Sequence, residues 1–90
     1  MTIWRYPLPV TDHQTISLPL GARVLSVGHQ HNEPSIWVLV DENTTFSTPR
    51  TFHMLGTGYP TGGICSMHFL GTLLLHDGSL VFHVFEEAAP

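Results

Sequence analysis

The chain has 90 residues and a formal net charge of −4 with its seven histidines neutral; seven acids face three arginines, and lysine is absent. Charged residues make up 11% of it, against about 25% in an ordinary soluble domain. That excludes a nucleic-acid surface, which needs several cations on one face. The length sets a single domain over residues 1–90.

Short β-type runs follow one another between turn residues, and helical periodicity is weak throughout. The first run is Ile3–Leu8, stopped by Pro7 and Pro9. Gln14–Leu18 alternates Thr15 and Ser17 against Ile16 and Leu18, and Pro19-Leu20-Gly21 reads as a turn. Arg23–His29 is the third run and His31-Asn32-Glu33-Pro34 the next turn. Ile36–Val40 follows, and then a polar, loop-like stretch, Asp41–Pro49. The fifth run is Arg50–Leu55, with its apolar part at Phe52–Leu55. A glycine-rich loop, Gly56–Gly63, separates it from His68–Leu75 and Leu80–Phe85. The dipeptide Asp77-Gly78 between these last two predicts a hairpin pairing Leu73–His76 with Ser79–Phe82. The tail, 88–90, is expected to be loose.

Six or seven such strands predict an all-β fold, a small antiparallel barrel or sandwich. In Ile36–Val40 and in Leu80–Phe85 both faces are largely apolar, whereas a strand with one wet face alternates. Both faces are therefore expected to be covered, and in so small a domain a second copy of the chain is the expected cover. Cys65 is alone, so no internal disulfide forms, which fits a reducing compartment. No apolar run resembles a signal peptide or approaches the ~20 residues of a membrane span, so a soluble intracellular protein is expected.

The pattern Ile3-Trp4-Arg5-Tyr6, Asp12-x-Gln14-Thr15-Ile16-x-Leu18-Pro19, Ile36-Trp37-Val38-Leu39-Val40-Asp41, Arg50-Thr51-Phe52-His53, Gly56-Thr57-Gly58 and Leu80-Val81-Phe82-His83-Val84-Phe85-Glu86 runs through nearly the whole chain. In it the chain resembles a family of short uncharacterised proteins of bacteriophages and prophages. The resemblance implies an accessory protein of the bacterial cytoplasm. It further implies a role common among small β proteins of that kind, blocking host defence by sequestering a nucleotide signal or by covering a defence protein.

The residues themselves offer one main candidate site. Gly56-Thr57-Gly58 resembles a backbone nest able to hold an anion. It lacks the Gly-Lys-Ser/Thr of a phosphate loop and the third glycine of a dinucleotide fingerprint. Its alternative reading is a strand-ending turn that needs positive φ. Arg50 and Arg23 are the cations able to grip a phosphate, or else to pair with Asp41, Glu42 or Glu86. Tyr59, between Gly58 and Pro60, is expected to be exposed and available for stacking, with Thr61 beside it. Trp4, Tyr6 and Trp37 could also stack a base, although tryptophans more often anchor cores or interfaces. His29 and His31 are weak metal candidates, two ligands without a third. His53 and His83 lie in strands, where bonding to a backbone carbonyl is the ordinary fate. Cys65 with His68 could suggest a thiol nucleophile, but the sequence offers no orienting third group and no activating cation nearby.

The expected function is thus a non-enzymatic binding module without cofactor, capturing a small nucleotide-like ligand through Arg50, Gly56, Thr57, Gly58, Tyr59, Thr61 and Arg23. Its expected partners are itself and that ligand, with no nucleic acid and no membrane. The alternatives are an inhibitor or adaptor that binds a host defence protein through an apolar β surface, and a small histidine-dependent hydrolase.

Overall fold

The structure, a computed structural model, describes residues 1–88; of the tail, residues 89 and 90 lie outside the described residues. Seven strands appear in chain order: β1 (Thr2–Pro7), β2 (His13–Pro19), β3 (Arg23–Gln30), β4 (Glu33–Val40), β5 (Ser47–Gly56), β6 (Met67–Leu75) and β7 (Leu80–Glu87), with a 3-10 turn at Ile64–Ser66. They form two antiparallel sheets, β1-β4-β3 and β2-β5-β7-β6. The sheets stack on a shared core and do not close into a barrel.

Alternation sends one face of each strand inward. Ile36, Val38 and Val40 of β4 meet Leu18 of β2, Phe52 and Met54 of β5, Leu73 of β6 and Val84 of β7, all buried. At one side the layers touch closely where β3 packs on β6. Gly71 makes this approach possible, because a Cβ there would lie 2.5 Å from Val27 Cγ2. Both strands are bulged nearby, between Val24 and Ser26 and between Phe69 and Gly71.

One expected turn and one expected loop come out differently. The segment His31–Pro34 is not all turn: His31 and Asn32 alone form a two-residue loop, both left-handed (φ 53° and 61°). Glu33 and Pro34 already pair with Gln30 and His29. Two left-handed residues match the twist of the flanking strands, so the hairpin closes one step earlier than a Pro-centred turn would allow. The polar stretch 41–49 is also not all loop. Ser47, Thr48 and Pro49 pair with Pro19, Leu18 and Ser17, while β7 reaches only to Phe52. Pro49 therefore sits where β5 is itself an edge, a place that tolerates proline. The Asp77-Gly78 hairpin is present, with Leu75 opposite Leu80 and Leu73 opposite Phe82. His76 and Asp77 join Gly78 in the left-handed region.

The outward side chains of β4 (Trp37, Leu39) and β7 (Val81, His83, Phe85) are half-buried. Neighbouring side chains cover part of them: Trp37 lies over Gly28, whose Cβ would come within 3.1 Å of the indole.

Candidate functional site

The glycine-rich loop leaves β5 at Gly56 and folds over the outer face of the four-stranded sheet. Gly58 and Gly63 are left-handed (φ 88° and 78°), conformations that side chains with a Cβ rarely adopt. Tyr59 N–H donates to Gly56 carbonyl oxygen (3.2 Å), which turns the chain back on itself. The Tyr59 ring then lies on the Gly56 backbone, where an added Cβ would meet it at 2.6 Å. As its setting between Gly58 and Pro60 suggested, Tyr59 is largely exposed, at 69%.

Under the loop is a cavity of about 190 Å³. The loop contributes Gly56, Thr57, Gly58, Tyr59, Thr61 and Ile64, and the sheet contributes Leu55, His83 and Phe85. A neighbouring cleft of about 480 Å³ shares Leu55, Gly56 and Tyr59 and adds Asp12, Met54, Pro60 and Phe82. Among the described residues lining these two spaces, Asp12 alone is formally charged.

His83 fastens the loop to the sheet. Its Nε2 is 2.8 Å from Thr57 Oγ1 and its Nδ1 is 3.0 Å from Thr72 Oγ1. Its partners are thus two hydroxyls, not the backbone carbonyl expected for a strand histidine. A hydroxyl both donates and accepts, so neutral imidazole in either tautomer, or imidazolium, can keep both contacts. The register continues the surface past the cavity. His13, His53, Phe85 and Phe69 stand opposite one another on β2, β5, β7 and β6. The rings of His13 and His53 stack at 5.7 Å and those of Phe69 and Phe85 tilt at 5.2 Å. His53 Nε2 also lies 2.6 Å from Glu87 Oε2.

Five of the seven residues expected to bind ligand therefore line one cavity, and the two arginines do not. Arg50 points to the other side of β5 and lines a separate cleft of about 450 Å³ with His68, Glu86 and Thr48. Its guanidinium pairs with Glu86 and donates to Ala22 carbonyl oxygen. Arg23 is exposed on β3, opposite Leu39. His29 and His31 are exposed beside the β3–β4 turn. Among the described residues, no group of three or more His, Cys, Asp or Glu side chains could hold a metal ion. Cys65 is exposed in the 3-10 turn, and no hydrogen bond joins it to His68 among the described residues.

The sequence carries no site signal at Phe85, Leu55, Ile64 or Thr72, and at His83 it points only to an ordinary strand histidine. Alternation does place His83 with Phe85 on one face of β7. Which face the loop would cover is a matter of tertiary structure. Among the described residues, no helix is long and apolar enough to cross a membrane. Neither the curated proteins nor the solved structures include a match to the chain. A family model described as "Domain of unknown function (DUF7352)" matches residues 1–90, and the chain belongs to that family.

Proposed function

We propose that the protein is a non-enzymatic binding module whose ligand seats in the cavity beneath the Gly56–Gly63 loop. One observation carries this reading: Gly56, Thr57, Gly58, Tyr59 and Thr61 converge with His83 and Phe85 on a single uncharged space. Aromatic rings, threonine hydroxyls and open backbone suit a planar heterocycle with hydrogen-bonding edges. At about 190 Å³ the cavity is smaller than the roughly 300–1,000 Å³ of most ligand clefts. It suits the base of a nucleotide-like signal, with the phosphates left in solvent. Arg50 is committed to Glu86, so it does not serve the phosphates. On the resemblance to short phage and prophage proteins, the setting is the cytoplasm of a bacterial host, and the role is to sequester a defence signal.

The test is a thermal-shift series with free nucleobases, nucleosides and nucleoside mono- and diphosphates, followed by mass spectrometry of the bound fraction. Capture raises the melting temperature for at least one heterocycle, with little added effect from the phosphates, and releases it unmodified. If no heterocycle shifts the melting temperature at millimolar concentration, or if the bound compound returns altered, the reading fails.

A second reading is an adaptor that covers a host defence protein. Phe69 and Leu74 favour it, because both stand exposed, at 59% and 55%, on the same sheet face as the cavity. It requires a stable protein complex that forms without any small ligand and that Phe69→Lys abolishes.

A further inference from the structure

We propose that β1 is a self-pairing edge: two copies of the chain join their β1 strands antiparallel about a two-fold axis at Trp4. The joined sheet would run β3-β4-β1 and on through the same strands of the second copy in reverse order.

The argument comes from how the four sheet edges are protected. An unpaired edge invites further strands, and proteins blunt it with bulges, charges, proline or cover. β3 and β6 are both bulged, and they pack on each other. β2 turns His13, Thr15 and Ser17, all polar, to its exposed face. Among the described residues, β1 differs from β2 in presenting apolar rather than polar side chains, and it has neither a bulge nor packed cover along its length. It pairs regularly with β4 from Thr2 to Pro7, and its proline stands at the far end. Its apolar side chains are exposed, Ile3 at 56% and Trp4 at 42%. Its one charge does not guard the edge, because Arg5 Nη1 donates to Glu33 Oε1 (3.0 Å) and to Ser35 Oγ (2.8 Å). Both partners lie toward β4, within the chain's own sheet.

The strand is also suited to meet itself. Pairing centred on Trp4 sets Thr2 opposite Tyr6, Ile3 opposite Arg5, and Trp4 opposite Trp4 of the second copy. No like charges face each other, and the indoles form an aromatic cross-strand pair. Such an isologous contact closes at two chains and leaves no free β1 edge to propagate. Backbone hydrogen bonds supply affinity, as in other strand additions. The loop cavity lies on the other sheet and contains no β1 residue, so this assembly stands or falls separately from ligand capture.

Sedimentation equilibrium tests it. The full chain should sediment at twice its 10.0 kDa mass at micromolar concentration. Ile3→Lys and Trp4→Lys should each return it to monomer with an unchanged β-type circular dichroism spectrum, while Thr15→Lys on the β2 edge leaves the dimer intact. Should Trp4→Lys fail to fold, hydrogen exchange on the wild-type chain decides. Protection of β1 amides should then rise with protein concentration, and β2 amides should not change. A monomer at all concentrations overturns the proposal. So does a dimer that survives Ile3→Lys, or one that Leu74→Lys abolishes instead.

Discussion

Arg50 and Glu86 meet side by side across the β5–β7 layer, with Nη2 donating to Oε1 at 2.9 Å and Nε donating to Oε2. A third guanidinium bond, from Nη1 to Ala22 carbonyl oxygen, ties the pair to the connection between β2 and β3. Both side chains are largely buried, at 20% and 12% exposure. This fork joins three parts of the fold at the core margin.

Removing one member of such a pair leaves an uncompensated charge in a poorly solvated place. Glu86→Gln or Arg50→Met should therefore cost about 3–5 kcal/mol, read from urea unfolding. The double replacement Arg50→Met with Glu86→Leu should recover much of that loss, because no lone charge remains. A single variant that unfolds like the wild type would show the pair to be dispensable.

The β3–β6 contact allows a sharper test. Gly71→Ala forces a methyl group against Val27 and should destabilise by about 1–3 kcal/mol. Val27→Ala frees that space at its own cost, and in the double variant the Gly71→Ala penalty should largely vanish. A double-mutant cycle with additive energies would contradict this packing.

At the loop, Gly56→Ala places a Cβ where the Tyr59 ring lies. The ring is exposed and can swing outward, so unfolding should shift by no more than about 0.5 kcal/mol, the range of surface substitutions. The cavity wall moves with the ring, and the thermal shift produced by a heterocycle should fall at least tenfold in apparent affinity. Retained binding would place the ligand elsewhere.

His83→Ala removes both hydroxyl contacts that hold Thr57 to Thr72 across β7. The cost should be about 0.5–1.5 kcal/mol per bond lost, at the lower end because the site is partly wet. Hydrogen exchange at Thr57–Thr61 should speed up while the β4 amides keep their protection. Equal acceleration in both regions would mean that His83 supports the whole fold rather than the loop.

Burial raises the Tyr6 phenol above its ordinary value near 10. The unfolded chain then loses this proton at a lower pH than the folded one. The contribution of Tyr6 is fully present below about pH 10, and stability falls as pH rises from there through the raised folded value. Tyr6→Phe should flatten that alkaline loss, as measured by urea midpoints between pH 8 and 11. A wild-type midpoint that fell no faster than that of Tyr6→Phe would refute it.

Local chemistry is what could be read along the chain. Period-two alternation marks Gln14–Leu18, and apolar runs mark Ile36–Val40 and Leu80–Phe85. Asp77-Gly78 marks the hairpin, and clustered glycines mark the loop. Each is a property of residues near one another in the chain, where backbone sterics and alternation act directly. Tyr59, flanked by Gly58 and Pro60, is likewise legible as exposed, and it is. That Pro49 lies in a strand is not legible in this way, because its tolerance depends on how far β7 extends along the other side of β5.

Read alone, the sequence specifies an all-β chain of six or seven short strands, short of charge and with a glycine-rich, threonine-bearing loop. Tertiary structure alone decided which of those parts meet. Arg50 and the loop share β5, yet Arg50 and Leu55 stand on opposite faces of it, so the cation went to Glu86 and the loop to His83. Strand pairing between distant segments sets such faces, and a register between residues as far apart as Leu55 and His83, or Phe52 and Glu86, is not written in either segment alone.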